Sequence, residues 1–191
     1  MANEFYALMG RMRNITRWGL MRNTFSENLS EHSFMTAVLA HALALIRREI
    51  LCLPTPDPDR CAVAALYHDA SEILTGDLPT PIKYYNPEIK TAYKQVERAA
   101  GERLLAMLPE QLRGCYVHDV LEDDAKLLPI IKAADKLSAH IKCLEEQKAG
   151  NTEFDTAARQ TWEAMKAMNR PELDWFLENC LSPFALNLDQ L

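Results

Sequence analysis

Apolar residues recur at helical spacing along most of the chain, and proline, glycine and short polar stretches cut that pattern into segments. In "ENLSEHSFMTAVLAHALALIRREI", Asn28 and Glu31 have the spacing of a capping box, and Phe34, Val38, Ala42 and Leu45 follow on one stripe. Asp57 before Pro58 predicts a second helix through "RCAVAALYHDASEIL", because proline fits the first helical position and Gly76 is a natural stop. Asn86–Pro87 opens a third, with Ile89, Tyr93, Val96, Ala100 and Leu104 on one face. Pro129 starts "PIIKAADKLSAHIKCLEEQKA", which ends at Gly150–Asn151. Thr152 with Asp155 predicts a capped helix carrying Phe154, Ala158, Trp162 and Met165, and Pro171 begins a short last one through Leu177. No strand pattern and no internal repeat interrupts this series. The expectation is an all-α fold.

Composition narrows the class. The chain has 191 residues, enough for one domain over 1–191 with a substantial core, and stretches such as "LPTPDPD" are too short to be domain linkers. With 48% hydrophobic and 25% charged residues it is globular rather than disordered in composition. A net charge of -6 argues against polymeric nucleic acid or an anionic membrane as the main partner. No run of apolar residues approaches the roughly 18–20 of a membrane span, and no basic-then-apolar leader opens the chain. Cys52, Cys61, Cys115, Cys143 and Cys180 are odd in number and scattered, the pattern of reduced thiols in a cytoplasmic protein.

One segment departs from apolar patterning. "LYHDASEILTGDLPT" places His68, Asp69 and Glu72 in the last turns of an otherwise apolar helix. Four residues apart, His68 and Glu72 share a helical face, and Asp69 lies about 100° round. Burying such a trio beside "AVAALY" costs free energy unless the groups are paired or bind metal. One helix cannot close a coordination sphere, so partners must come from elsewhere. His32, near the start of the first long helix, and Asp135, in the apolar context "IIKAADKLSA", are the candidates. His41 lies nine residues beyond His32, about half a turn round the helix, and so cannot serve the same site. Taken singly, each residue has an ordinary structural explanation; the combination is more specific.

The order His32…His68-Asp69…Asp135 resembles the HD-domain metal-dependent phosphohydrolases. "RNITRWGLMRN", "ENLSEHSF", "LYHDASEILTGDLPTPIKYYN" and "IKAADKLSAHIKCLEEQKAGN" resemble the bacterial 5′-deoxynucleotidase branch, in register over most of residues 5–190. Pro129 and the stretch "RGCYVHDVLEDD" are less typical, and no function is carried onto His118 or Asp119. The resemblance implies a single HD-type helical domain and a metal set of His32, His68, Asp69 and Asp135. It implies one divalent ion, Co²⁺ or Mn²⁺ first, with Mg²⁺, Cu²⁺ or Zn²⁺ as alternatives. Two imidazoles and two carboxylates form a mixed N/O site with room for substrate, unlike a closed thiolate site. A divalent ion there would polarise a phosphate oxygen and orient the attacking water.

Glu72, on the His68 face but outside the ligand set, is the candidate general acid/base. Arg17 supplies a fork-shaped donor for phosphate, and Trp18 an aromatic plate beside it. By resemblance, Arg17 orients the phosphate, Trp18 lies against the sugar, and Asp77 joins the chemistry while contacting the sugar. Leu78, Pro79 and Thr80 shape the substrate loop, and His32, Asp69 and Asp135 contact the substrate as well as the metal. The implied reaction is hydrolysis of deoxyribonucleoside 5′-monophosphates to deoxyribonucleosides and phosphate by a homodimer. The competing readings are another HD phosphohydrolase, acting on a nucleoside triphosphate, cyclic nucleotide or alarmone, and a catalytically silent nucleotide-binding module.

Overall fold

The computed structural model describes residues 3–83 and 85–191, without the side chains of Thr80 and Pro81. Among the described residues ten α-helices follow in chain order: α1 (Phe5–Met9), α2 (Leu29–Leu45), α3 (Pro58–Tyr67), α4 (Glu72–Thr75), α5 (Thr80–Lys83), α6 (Pro87–Ala106), α7 (Glu110–Val120), α8 (Leu128–Lys148), α9 (Asp155–Ala167) and α10 (Pro171–Asn179). Short 3₁₀ turns join several of them, and a single π turn, Ile46–Ile50, extends α2. Among the described residues no strand forms; the nearest approach is one isolated antiparallel bridge between Thr16 and Asn28.

The start of α2 is fixed as its sequence predicts. The Asn28 side chain accepts from the Ser30 and Glu31 amides, and Glu31 accepts from the Asn28 amide at 2.9 Å. Such a cap is worth about 1 kcal/mol, and it holds His32 in the first turn. The buried face of α2 is not the predicted one, however. Leu29, His32, Ser33, Thr36, Leu39, Ala40 and Leu43 point inward, whereas Phe34 and Val38 face out at 65% and 46% exposure. The helix has apolar residues on both sides, so periodicity alone could not choose the core face. Together Leu29–Ile50 form a 22-residue helix long and apolar enough, by length and composition, to cross a membrane, contrary to the sequence expectation. Here it is a core helix, packed on α3 and α8 and carrying His32, Ser33 and Thr36 on its covered side.

The main core lies between α2, α3, α8 and the C-terminal helices, around Leu39, Leu43, Cys61, Ile130, Leu137 and Met165. Each fully buried residue of this size stabilises the fold by about 1.5–3 kcal/mol. A second cluster joins Phe5 to Leu104, Leu105, Leu108 and Val120. There α6 and α7 approach closely: a Cβ on Gly101 would meet Leu121 Cδ2 at 2.8 Å. The stripe predicted on α6 is buried only at its C-terminal end, Ala100 and Leu104; Ile89 and Val96 are exposed. At the start of α9 the cap is Asn151, not Thr152: its side chain accepts from the Glu153 amide and introduces a 3₁₀ turn before Asp155. Phe154, Ala158 and Met165 are buried as the periodicity predicts, while Trp162 is 41% exposed.

The most consequential departure is in the second predicted helix. Instead of running to Gly76, α3 ends at Tyr67 and a tight turn over 68–71 leads into α4. His68 Nδ1 donates to the Ala65 carbonyl at 2.7 Å, the acceptor a continuing helix would offer to the Asp69 amide. Short-range bonds Ala70 N to Tyr67 O and Glu72 N to Asp69 O tighten the turn. Gly76 then adopts φ +75, which favours glycine, and sends the chain into the Asp77–Pro79 loop.

Candidate active site

Three elements bring the predicted metal-ligand candidates together. The first turn of α2 supplies His32, the turn after α3 supplies His68 and Asp69, and α8 supplies Asp135. One ligand atom from each of His32, His68 and Asp135 lies within 4.8 Å of the others, a grouping able to hold a metal ion. His32 Nε2 is 3.1 Å from Asp135 Oδ1 and 3.6 Å from Asp69 Oδ2, and His68 Nε2 is 3.1 Å from Asp69 Oδ2.

The outer bonds of the two imidazoles orient them. His68 Nδ1 faces a carbonyl, which can only accept, so Nδ1 carries the hydrogen and the neutral ring presents the Nε2 lone pair to the cluster. His32 Nδ1 faces Ser138 Oγ at 3.2 Å, which holds that ring with Nε2 inward. Although close to Asp69, His68 Nε2 makes no aligned hydrogen bond and is a buried polar atom without a partner, as is Glu72 Oε2. Buried polar atoms are ordinarily satisfied. The ligand atoms of His32, His68 and Asp135 crowd one small volume, and a cation fits the donor set.

The electrostatics agree. Burial works against charge on Asp69 and Asp135, but neighbouring imidazoles overcome it and hold both well below the usual carboxylate range. Against its own burial, His68 is pushed up to about 10 by Asp69 and then Asp135, so a cation binding there displaces a proton. Glu72 is pushed up to about 9, first by burial and then by Asp69 and Asp77. Asp77 is raised as well, again chiefly by burial. Arg17 keeps its charge despite burial because Asp69, Asp135, Asp77 and Glu27 surround it, with Nη1 3.5 Å from Asp69 Oδ2.

A cavity of about 430 Å³ opens over this cluster. Its lining includes Arg17, Trp18, Asp69, Glu72, Asp77, Leu78, Pro79 and Asp135, so most of the predicted site faces one space. His32 and His68 are buried and lie outside the lining. The Thr80 side chain lies outside the described residues. A cavity of about 500 Å³ beside Phe184 is larger but carries none of these residues; chemistry, not volume, marks the site. His41 faces away and pairs with Asp59 at 3.3 Å, and His118 pairs with Asp123 at 2.6 Å on the surface.

Three lining or supporting residues escaped the sequence reading. Lys83 and Lys136 add positive charge to the cavity, and Lys83 Nζ sits 2.6 Å from Glu97 and 4.0 Å from Glu72. Lys136 adjoins Asp135 in sequence, a signal that could have been used; Lys83 carries none. Glu27 binds both Arg17 and Trp18. Trp18 itself adopts φ +58, unusual for a bulky residue; such a conformation costs about 1–3 kcal/mol and persists only where the surroundings enforce it. Its ring packs on Phe154 with centroids 5.3 Å apart.

This arrangement of helices is that of the HD-domain phosphohydrolases. An HD-domain phosphohydrolase from Listeria innocua superposes with a TM-score of 0.81 at 20% identity, covering 95% of this chain and 88% of its own. A cyanophage S-2L HD phosphohydrolase, bound to dA and one catalytic Zn²⁺ ion, superposes with a TM-score of 0.62 at 22% identity, covering 92% and 95%. Sequence similarity is closer. Proteins named 5′-deoxynucleotidase from Vibrio atlanticus and Erwinia tasmaniensis are each 45% identical over 191 residues, spanning 99% of this chain and 98% and 96% of theirs. The 5′-deoxynucleotidase YfbR-like family pattern matches residues 4–184, and the chain belongs to that family.

Proposed function

We propose that the protein hydrolyses deoxyribonucleoside 5′-monophosphates to deoxyribonucleosides and orthophosphate, with one divalent ion held by His32, His68, Asp69 and Asp135. The observation that carries this reading is the grouping of His32, His68 and Asp135 ligand atoms within 4.8 Å of one another, next to a cavity of about 430 Å³ that Asp69 and Asp135 line. In that lining, Asp69, Asp77 and Asp135 already match the charges of Arg17, Lys83 and Lys136, so a phosphate dianion needs a further cation to enter. When bound, the ion supplies that charge and polarises the phosphate. Co²⁺ or Mn²⁺ suits the mixed N/O donors, and the zinc of the cyanophage relative supports a transition metal more broadly.

The residues divide the remaining work. Arg17 grips the phosphate, and Trp18 and the Asp77–Thr80 loop hold the sugar. Glu72, whose carboxyl is raised by burial and by the charges of Asp69 and Asp77, would ionise once a cation offsets those carboxylates, and it then takes a proton from the water that attacks phosphorus. As the new P–O bond forms, the P–O5′ bond breaks, and Asp77, its carboxyl raised by burial, gives the departing O5′ its proton. No covalent enzyme intermediate is needed. The protein works as one domain in the cytoplasm and as a homodimer; the outward Phe34–Val38 stripe of α2 offers apolar surface for a second copy.

Metal-stripped protein assayed on dAMP and AMP with each divalent ion in turn tests the reading. The expected result is metal-dependent release of orthophosphate, faster from dAMP. Nucleotide binding without turnover under every ion would overturn it, as would release of pyrophosphate or triphosphate from longer nucleotides with dAMP untouched.

A further inference from the structure

Arg17 and Trp18 are adjacent in sequence, so their side chains start out in different directions, yet both must face one substrate. A single atom solves this. Glu27 Oε2 accepts from Arg17 Nε at 3.2 Å and from Trp18 Nε1 at 2.8 Å. Both the Arg17 and Glu27 side chains are only 12% exposed, so this is a partly desolvated carboxylate with two donors and not a surface ion pair.

The backbone around Glu27 is built to the same end. Arg17 N donates to Glu27 O at 3.0 Å and Leu29 N to Ile15 O at 2.9 Å, flanking the Thr16–Asn28 bridge. Two segments ten residues apart are thereby zipped together immediately before the α2 cap. The carboxylate is tied to the helix that carries His32, and Arg17 and Trp18 are tied to the carboxylate. The Arg17 Nη1 end stays 3.5 Å from Asp69, while the indole is held at Nε1 and Trp18 lines the cavity. Neither Glu27 nor its carboxylate lines that cavity, so it acts on the substrate through its two partners.

We propose that Glu27 is the positioning residue for sugar discrimination: one carboxylate oxygen locks the phosphate-gripping Arg17 and the sugar-facing Trp18 in one spatial register. The inference rests on the nucleotidase reading above. If phosphate and sugar are held by independently mobile side chains, a nucleotide can tilt to accommodate a 2′-hydroxyl. With both anchored to one atom, the distance from phosphate grip to aromatic wall is fixed, and an added hydroxyl must be crowded. Adaptation by tilting is removed.

The test uses Glu27→Gln and Glu27→Ala, each also placed in a Trp162→Phe, Trp175→Phe background where Trp18 is the remaining indole. The wild type is first assayed on dAMP and AMP; failure there refutes the nucleotidase reading and leaves the indole measurement to judge Glu27. Glu27→Ala is expected to retain its full metal content, to make Trp18 fluorescence more accessible to acrylamide, and to lower kcat/KM for dAMP about 10–100-fold, the range for lost orienting partners. The dAMP-to-AMP ratio should fall with it, while KM for dAMP rises. Glu27→Gln keeps an acceptor oxygen of the same reach and should recover most of the ratio and the quenching behaviour, with a weaker grip on phosphate seen as a higher KM. An unchanged ratio and unchanged quenching in Glu27→Ala, with metal and fold retained, would overturn the proposal. So would a Gln variant that unfolds or behaves like Ala in every readout, since a merely structural charge would account for that.

Discussion

Helix α8 carries two buried polar clusters seven residues apart, and they are built on opposite plans. At its C-terminal half, Lys142 and Glu146 are almost wholly buried and completely satisfied. Lys142 Nζ donates to Glu146 at 2.5 Å and to the Phe25 carbonyl at 2.7 Å, while Glu146 also accepts from the Thr24 amide and from Asn151 Nδ2 at 2.8 Å. Two turns earlier, Asp135 joins His32, His68 and Asp69 in a cluster where the buried His68 Nε2 and Glu72 Oε2 atoms make no hydrogen bond. The protein closes one cluster with its own donors and acceptors and leaves the other open. Burial of unpartnered polar atoms is expensive, so the open cluster is the one shaped by a ligand. Buried charge alone would not distinguish them.

The comparison breaks most completely at the open cluster. His68→Ala or Asp135→Ala should abolish tight metal binding and phosphate release together, because the proposed four-ligand site has none to spare. Elemental analysis and turnover on the same samples check this; full metal occupancy with normal turnover would remove that residue from the ligand set. Glu72→Ala should instead keep the metal and the nucleotide while kcat falls by roughly 10²–10⁴, the usual loss for a general acid/base. Loss of the metal in that variant would make Glu72 a ligand, and unchanged turnover would free it from proton transfer.

The closed cluster should fail in stability rather than chemistry. Glu146→Ala leaves the Lys142 ammonium buried without its partner and frees the Thr24 and Asn151 donors. A loss of about 3–5 kcal/mol is expected in urea unfolding, with metal content unchanged at temperatures where the variant is folded. A loss under 1 kcal/mol would mean that the pair is dispensable.

How much of this was legible beforehand follows from the kind of signal each residue carried. Asn28, Asp57, Asn86 and Pro171 announced their helix starts because capping and proline chemistry are local. That His32, His68 and Asp135 lie together was legible because polar side chains in apolar contexts, such as His68 and Asp135, need partners, and the family resemblance supplied their grouping. The break after Tyr67 was not, because it depends on a side-chain bond from His68 to a carbonyl three residues back. Nor was Glu27: its role depends on a bridge between residues 16 and 28 that no periodicity encodes. The i,i+4 spacing of Lys142 and Glu146 does not distinguish an exposed pair from a buried one, and only the packing of residues 24 and 25 over it reveals that it is buried.

That hidden pair also gives the smallest and sharpest contrast, through pH. In the folded chain burial works to raise the Glu146 carboxyl, but the bonds from Lys142, Thr24 and Asn151 prevail and lower it to about 2 from an ordinary 4.5. A carboxylate depressed on folding contributes stability that is complete above its unfolded pKa and disappears as pH falls toward its folded one. Its contribution is therefore full above about pH 4.5 and fades toward pH 2. Glu146→Gln keeps the reach and one acceptor oxygen but cannot ionise, so it should cost less than Glu146→Ala at pH 7 and track the wild type increasingly closely in acid. Other carboxylates titrate in both proteins, and the difference between the two unfolding curves at pH 7, 4.5 and 3 removes them. The expected difference shrinks with acidification. If it stays constant from pH 7 to 3, the Glu146 charge is not what closes the cluster, and the hydrogen bonds alone hold residues 24 and 25 against α8.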